Sequence, residues 1–296
     1  MEPVRLTEYA RMPRAYRRLH LFNSTVDAHG RTHWLLSERA PGPWPVDPYD
    51  AVVVTADDDH VYETHLGAVQ LYRPELDALP DGGFVLADAR SKADEQHVQV
   101  FDALGRPSWT FRMGDGIEHL LADASGDLWV GYFDEGVYGD DPLSHPGLRR
   151  WSSTGEPLWS FSPGPGLMDM SDCGALNVDG TTAWACPYMR YPLIEVRPDG
   201  TVRVRTTRMR GVRGIALEDE RVAFLHGVST LTYGRLTEAT VEPEQGSAQL
   251  VRPDGSALAN NGTVCRGTRI HVRERKGTDW WVLDTSPGAD ETGPIP

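Results

Sequence analysis

The chain has 296 residues, of which 40% are hydrophobic and 24% charged, with a formal net charge of −14 at pH 7. That length and polarity suit one large globular domain, and the lack of an apolar run of about 18 residues excludes a helical membrane protein. Nucleic-acid binding needs a concentrated basic stripe, whereas here the basic residues are dispersed along an acidic chain, so no nucleic-acid partner is expected.

The first twenty residues carry Arg5, Arg11, Arg14, Arg17 and Arg18 without an apolar stretch. No secretory signal is read there, and the cytoplasm is the expected compartment. Further along, a turn containing glycine precedes a short apolar strand four times: Ala28-His29-Gly30 before Trp34, Pro80-Asp81-Gly82 before Phe84, Ala124-Ser125-Gly126 before Trp129, and Val178-Asp179-Gly180 before Trp184. A second series is Asp102-Ala103-Leu104-Gly105-Arg106-Pro107-Ser108-Trp109-Thr110-Phe111, which returns as Ser152-Ser153-Thr154-Gly155-Glu156-Pro157-Leu158-Trp159-Ser160-Phe161. A period of about 40 to 50 residues holding four short strands is that of β-propeller blades.

Six four-stranded antiparallel blades are predicted, over residues 20–68, 70–113, 116–164, 171–209, 212–257 and 260–285. The third is the clearest, with strands over 118–123, 127–132, 147–151 and 157–161. The fifth contains a polar stretch, 238–246, with Pro243, a poor residue for a central strand. The sixth supplies only three strands, so an N-terminal strand over 3–9 is expected to complete it and close the ring, leaving no open edge. One domain therefore spans 1–285, and the tail 286–296 lacks apolar periodicity and is expected to be mobile.

Three cysteines, Cys173, Cys186 and Cys265, are too few for a disulfide framework and are expected as thiols. Offsets from the turn at Asp179-Gly180 place Cys173 and Cys186 opposite each other on adjacent strands. The strand aromatics Trp109, Phe111, Trp129, Trp159 and Trp184 are expected to pack between blades. Asp57 to Asp59 reads as a solvated turn tip.

Two connections between second and third strands exceed ten residues: 38–50, with Trp44 and Tyr49, and 134–145, with Glu135, Tyr138, Asp140 and Asp141. Long loops of this kind are usually functional or disordered. Alignment on the glycine turns puts Asn23, Glu75, Glu118, His119, Asp172, Cys173, Arg213, Asn260 and Asn261 at the starts of innermost strands. Glu118, His119 and Asp172 are candidate acid–base residues, because a carboxylate beside an imidazole can hold and move a proton. Arg190 and Arg213 are candidates to hold an anionic group, and Trp44, Tyr49, Tyr138 and Tyr188 to contact a substrate. Arg203, Arg205, Arg208, Arg210 and Arg213 cluster near one strand, which suits either a bound anion or a solvated face. No GxSxG, HExxH or phosphate-binding glycine loop is present. Two readings stand: an enzyme of hydrolase, lyase or cyclase type acting on a small molecule, or a module that binds a ligand or partner protein without turnover, using the segment Tyr188-Met189-Arg190-Tyr191.

The phrase Asp123-Ala124-Ser125-Gly126-Asp127-Leu128-Trp129-Val130-Gly131 resembles the six-bladed propellers of the NHL-repeat, gluconolactonase-like and sensor-kinase groups. The resemblance covers the blade grammar over most of the chain and implies the fold. Lactonases of this kind hold a divalent metal such as calcium with Glu, Asp and Asn side chains, which carried onto this chain implies Glu118, Asp172, Asn23 and Asn261 as ligands. Arg213, at the matching place in the fifth blade, departs from that pattern because it would repel a cation.

Overall fold

The computed structural model describes residues 2–40, 42, 46–92, 94–164, 169–188 and 190–286. The predicted mobile tail beyond residue 286, and Trp44 in the first long loop, lie outside the described residues. The hairpins follow from one local device. Asp27 Oδ1 accepts the amides of His29 and Arg31 at 2.9 and 2.8 Å, Asp102 Oδ1 those of Leu104 and Arg106 at 2.9 Å each, and Asp123 Oδ1 those of Ser125 and Asp127 at 2.8 and 3.2 Å. Each side chain thereby folds the backbone into a turn, and the glycine in it takes a positive φ that other residues avoid, as at Gly30 (83°) and Gly126 (92°).

The N-terminal segment forms β1 (Glu2–Arg5) and β2 (Thr7–Ala10). The first blade is β3 (His20–Val26), β4 (Thr32–Ser37), β5 (Tyr49–Asp57) and β6 (His60–Val69); the second is β7 (Pro74–Ala78), β8 (Phe84–Asp88), β9 (Val98–Phe101) and β10 (Pro107–Phe111). The third is β11 (Ile117–Ala122), β12 (Leu128–Tyr132), β13 (Leu148–Trp151) and β14 (Pro157–Ser160), with the one-turn helix α1 (Asp134–Val137) after β12. The fourth is β15 (Ala175–Asp179), β16 (Thr182–Cys186), β17 (Leu193–Val196) and β18 (Val202–Arg205). The fifth holds β19 (Val212–Glu218), β20 (Arg221–His226), β21 (Thr230–Leu236), β22 (Val241–Pro243) and β23 (Ala248–Val251), and the sixth β24 (Asn261–Arg266), β25 (Arg269–Glu274) and β26 (Trp280–Asp284). Six blades of antiparallel strands make this an all-β, six-bladed β-propeller.

The chain divides into two compact units, residues 12–173 and residues 1–11 with 174 onward. Within the first, Leu35, Val53, Leu66, Leu76, Phe84 and Phe101 form one apolar cluster, and Val85, Val100, Leu120, Val130, Tyr132 and Trp151 another. Within the second unit, Leu6, Leu225, Leu231, Leu250, Ile270 and Leu283 share a core. There the sixth blade is completed by β2, which pairs with β26 through Thr7↔Val282 and Glu8↔Trp281.

Several expectations need correction. The N-terminal segment is two strands rather than one: β1 runs parallel to β23 of the fifth blade, with Val4 opposite Leu250, before buried Leu6 turns the chain into β2. The polar stretch of the fifth blade yields only a three-residue strand, β22, so β23 pairs with the other end of β21 and takes β1 on its far side. Cys173 and Cys186 are not opposite each other. The β15–β16 register sets Ala175 against Cys186, because β15 begins only at Ala175, while the Cys173 amide donates to the Tyr132 carbonyl of the third blade at 2.9 Å. All three cysteines are buried free thiols. Trp109 lies on the outermost strand of its blade and is 56% exposed, so it does not pack between blades, whereas Trp129 is fully buried.

Candidate functional site

Two backbone hydrogen bonds gather three carboxylates at the entry to the third blade. The Phe133 amide donates to Gly116 O at 2.8 Å, and the Cys173 amide to Tyr132 O at 2.9 Å. Glu118 lies two residues beyond Gly116, Asp134 one beyond Phe133, and Asp172 one before Cys173. Close approach of α1 to the start of β11 requires glycine on one side: a Cβ on Gly116, whose φ is 75°, would sit 2.6 Å from Gly136 Cα. A register shift between Ile117 and His119 makes Glu118 the extra residue of a bulge, and it is exposed; His119 pairs with Gly131 and is half-buried.

Asp172 is half-buried. Its carboxyl is pushed up to about 6, first by burial and then by the neighbouring Glu118 and Asp134 carboxylates. A carboxyl in that range can both donate and accept a proton near neutral pH. Asp134 was visible in sequence only as part of an acidic loop, and its nearness to Asp172 depends on a non-local hydrogen bond. That loop is built around Asp141, a buried carboxylate that accepts the Leu143 amide at 3.0 Å and Arg112 Nη2 at 2.9 Å. Tyr138 on the same loop is 72% exposed.

Other candidate residues have different duties. Tyr49 stacks on Phe22 at 5.2 Å and donates its hydroxyl to Leu71 O at 3.0 Å, so it packs the first blade. Asn23 Nδ2 donates to Glu75 Oε2 at 3.0 Å. In the second unit, Arg213 donates to Gly227 O at 3.1 Å and to Asn261 O at 2.6 Å, which ties two loops together. Of the arginine cluster, Arg205 is buried, paired with Glu195 at 2.9 Å and donating to Thr237 O at 2.7 Å. Tyr188, 56% exposed, meets the ring of Tyr191 edge-on at 5.5 Å, and Arg190 stands beside them at a φ of 57°.

The implied metal set does not fit. Asn261 has a buried Oδ1 without a hydrogen-bond partner, but the Arg213 guanidinium on its own carbonyl opposes a cation there. Asn23 is committed to Glu75, and among the described residues no group of three or more His, Cys, Asp or Glu side chains has the geometry to hold a metal ion. No helix among the described residues is long and apolar enough to cross a membrane.

The sequence matches no protein-family profile and no curated protein. Among solved structures the chain is similar to virginiamycin B lyase from Staphylococcus aureus, at 11% identity and a TM-score of 0.51 over 88% of this chain and 79% of that one. It is similar to a streptogramin B lyase at 11% identity and a TM-score of 0.50, over 88% of this chain and 78% of that one. Regucalcin, a calcium-binding protein from Agrobacterium tumefaciens, gives 13% identity and a TM-score of 0.49 over 95% of this chain and 94% of that one. At these identities the likeness is one of architecture, and what the chain shares with the lyases is the β-propeller fold.

Proposed function

We propose that this chain is an enzyme acting on a small molecule, with Asp172 as the proton-transferring group and Glu118 and Asp134 as the carboxylates that tune it. The carrying observation is the raised carboxyl of half-buried Asp172, about 6, beside exposed Glu118 and Asp134, which a bulge and a one-turn helix position. Protonated Asp172 would donate to a leaving oxygen, and ionised Asp172 would take a proton from carbon or water, which are the steps of a hydrolase, lyase or cyclase. The propeller fold shared with two lyases makes elimination or ring opening the natural class to test first. His119, one residue from Glu118, is a second proton carrier in this reading.

Proton release from a panel of lactones and cyclic esters, followed by pH-stat, tests this. The expected result is turnover with a pH limb near 6, and loss of that turnover in Asp172→Asn while the variant stays folded and melts no lower than the parent. Full activity in both Glu118→Ala and Asp172→Ala would overturn it. Added calcium is the control for the divalent-cation alternative: an acid–base role leaves the limb in place, and a limb lowered by calcium would instead favour cation binding at these carboxylates.

A second reading, a surface that binds a ligand or partner protein without turnover, is favoured by the exposed ring of Tyr188 and by exposed Arg190 beside it. Loss of partner capture in Tyr188→Ala, with no turnover on any substrate, would select it. Buried thiols suit the cytoplasm, the compartment we assign.

A further inference from the structure

The second blade carries a cleft of about 470 Å³ that the acid–base reading does not use. Tyr72 and Arg73, just ahead of β7, form one side, and Asp88, Arg90, Lys92 and Glu95, at the end of β8 and in the following loop, form the other. Its volume falls within the range of small-molecule sites. The cleft is tied to the carboxylate cluster by backbone: Ile117 N, one residue before Glu118, donates to Ala89 O at 2.9 Å. Arg90 extends the tie, bonding Asp115 at 3.0 Å and Glu135 at 2.5 Å while lying 5.6 Å over the Phe133 ring.

The charges of the cleft are unevenly committed. Asp88 is 3% exposed and its two oxygens accept the Tyr72 and Arg73 amides at 2.9 and 2.6 Å, so little of its charge reaches solvent. Glu95 accepts the Lys92 amide at 3.1 Å and stands 3.8 Å from Lys92 Nζ. Arg90 is neutralised by Asp115 and Glu135. Arg73 is exposed, lies 5.1 Å over the Tyr72 ring and has no carboxylate partner among the described residues. A guanidinium presents a planar fork of donors that suits bidentate binding of a carboxylate. Lys92 is exposed at the rim of the cleft, where its ammonium, 3.8 Å from Glu95, adds a second cation near Arg73.

We infer that this cleft binds the carboxylate of a small organic acid, with Arg73 as the main anchor, Lys92 as the supporting charge and Tyr72 against the organic portion. The inference rests on the acid–base reading of the neighbouring carboxylate cluster and names the substrate class as anionic. Saturation-transfer NMR and calorimetry with benzoate as the probe test it, with benzyl alcohol as the neutral comparison and inorganic phosphate as a competitor. Benzoate should bind, benzyl alcohol should bind at least tenfold more weakly, and Arg73→Gln should weaken benzoate at least tenfold with an unchanged melting temperature. Phosphate displacing benzoate at equal concentration would mean a general oxyanion site and overturn the organic-acid assignment. Absent benzoate binding, or equal binding in Arg73→Gln, would overturn the site itself. Benzoate binding retained in an inactive Asp172→Asn variant supports the cleft independently of the acid–base assignment, whereas absent benzoate binding in a chain that still turns over neutral substrates would overturn the cleft and leave that assignment intact.

Discussion

Asp172 couples the candidate chemistry to stability. Its carboxyl titrates at about 6 in the folded chain against an ordinary 3.8, so between those values the native state holds a proton that the unfolded chain has released. The stabilisation it contributes is therefore complete below about pH 4 and is lost as pH rises through 6. Allowing for solvent screening at a half-exposed group, the loss is about 1–2 kcal/mol. Asp172→Asn should melt a few degrees above the parent at pH 7.5 and level with it at pH 4, as measured by calorimetry. A difference independent of pH would show that Asp172 is not held in its neutral form. Gly131 reports on the neighbouring packing: a Cβ there would lie 2.7 Å from Cys173 Sγ and 2.9 Å from its Cβ. Gly131→Ala should cost about 1–3 kcal/mol, because buried Cys173 is anchored by its amide and cannot yield. An unchanged denaturant midpoint would place Cys173 elsewhere. The positions of Glu118 and Asp172 ahead of the aligned turns were readable from the repeat, while the role given to them is the proposal above. Asp134 and Arg73 were not, because what brings Asp134 to the cluster is a bond between Phe133 and Gly116, and what singles out Arg73 is the burial of Asp88.

Among the elements, the turn aspartates and glycines fixed the hairpins well enough for the strands of the third blade to be placed within a residue or two. The N-terminal segment was harder, since alternation over 3–9 does not reveal that Leu6 divides it between two blades. Removal of residues 1–5 takes away only the parallel partner of β23, while removal of 1–11 also bares the edge of β26 and withdraws Leu6, whose burial is worth about 2 kcal/mol. The shorter truncation should lower the melting temperature by a few degrees, the longer by clearly more. Two truncations that melt together would contradict closure by β2. The loop after β12 was expected to be functional or disordered, and it is held by Asp141, Arg112 and the bond from Ser144 Oγ to Asp115 O at 2.6 Å.

For the whole molecule, the recurrence of one glycine turn before an apolar strand in four blades, with four short strands per period, made the architecture legible. Function was less legible for the same reason: a repeat states what the blades have in common, while the candidate site is built from what differs between them, a bulge at Glu118, a helix at Asp134 and a guanidinium at Arg73 without a carboxylate partner among the described residues. The central claim is that three carboxylates share one environment and hold a proton on Asp172. Carbon-13 NMR of the intact chain with carboxyl-labelled aspartate, titrated from pH 3 to 9, tests this most directly. The account predicts a midpoint near 6 for Asp172 that moves down in Glu118→Gln. A midpoint near the ordinary carboxyl value, unmoved by Glu118→Gln, would contradict it.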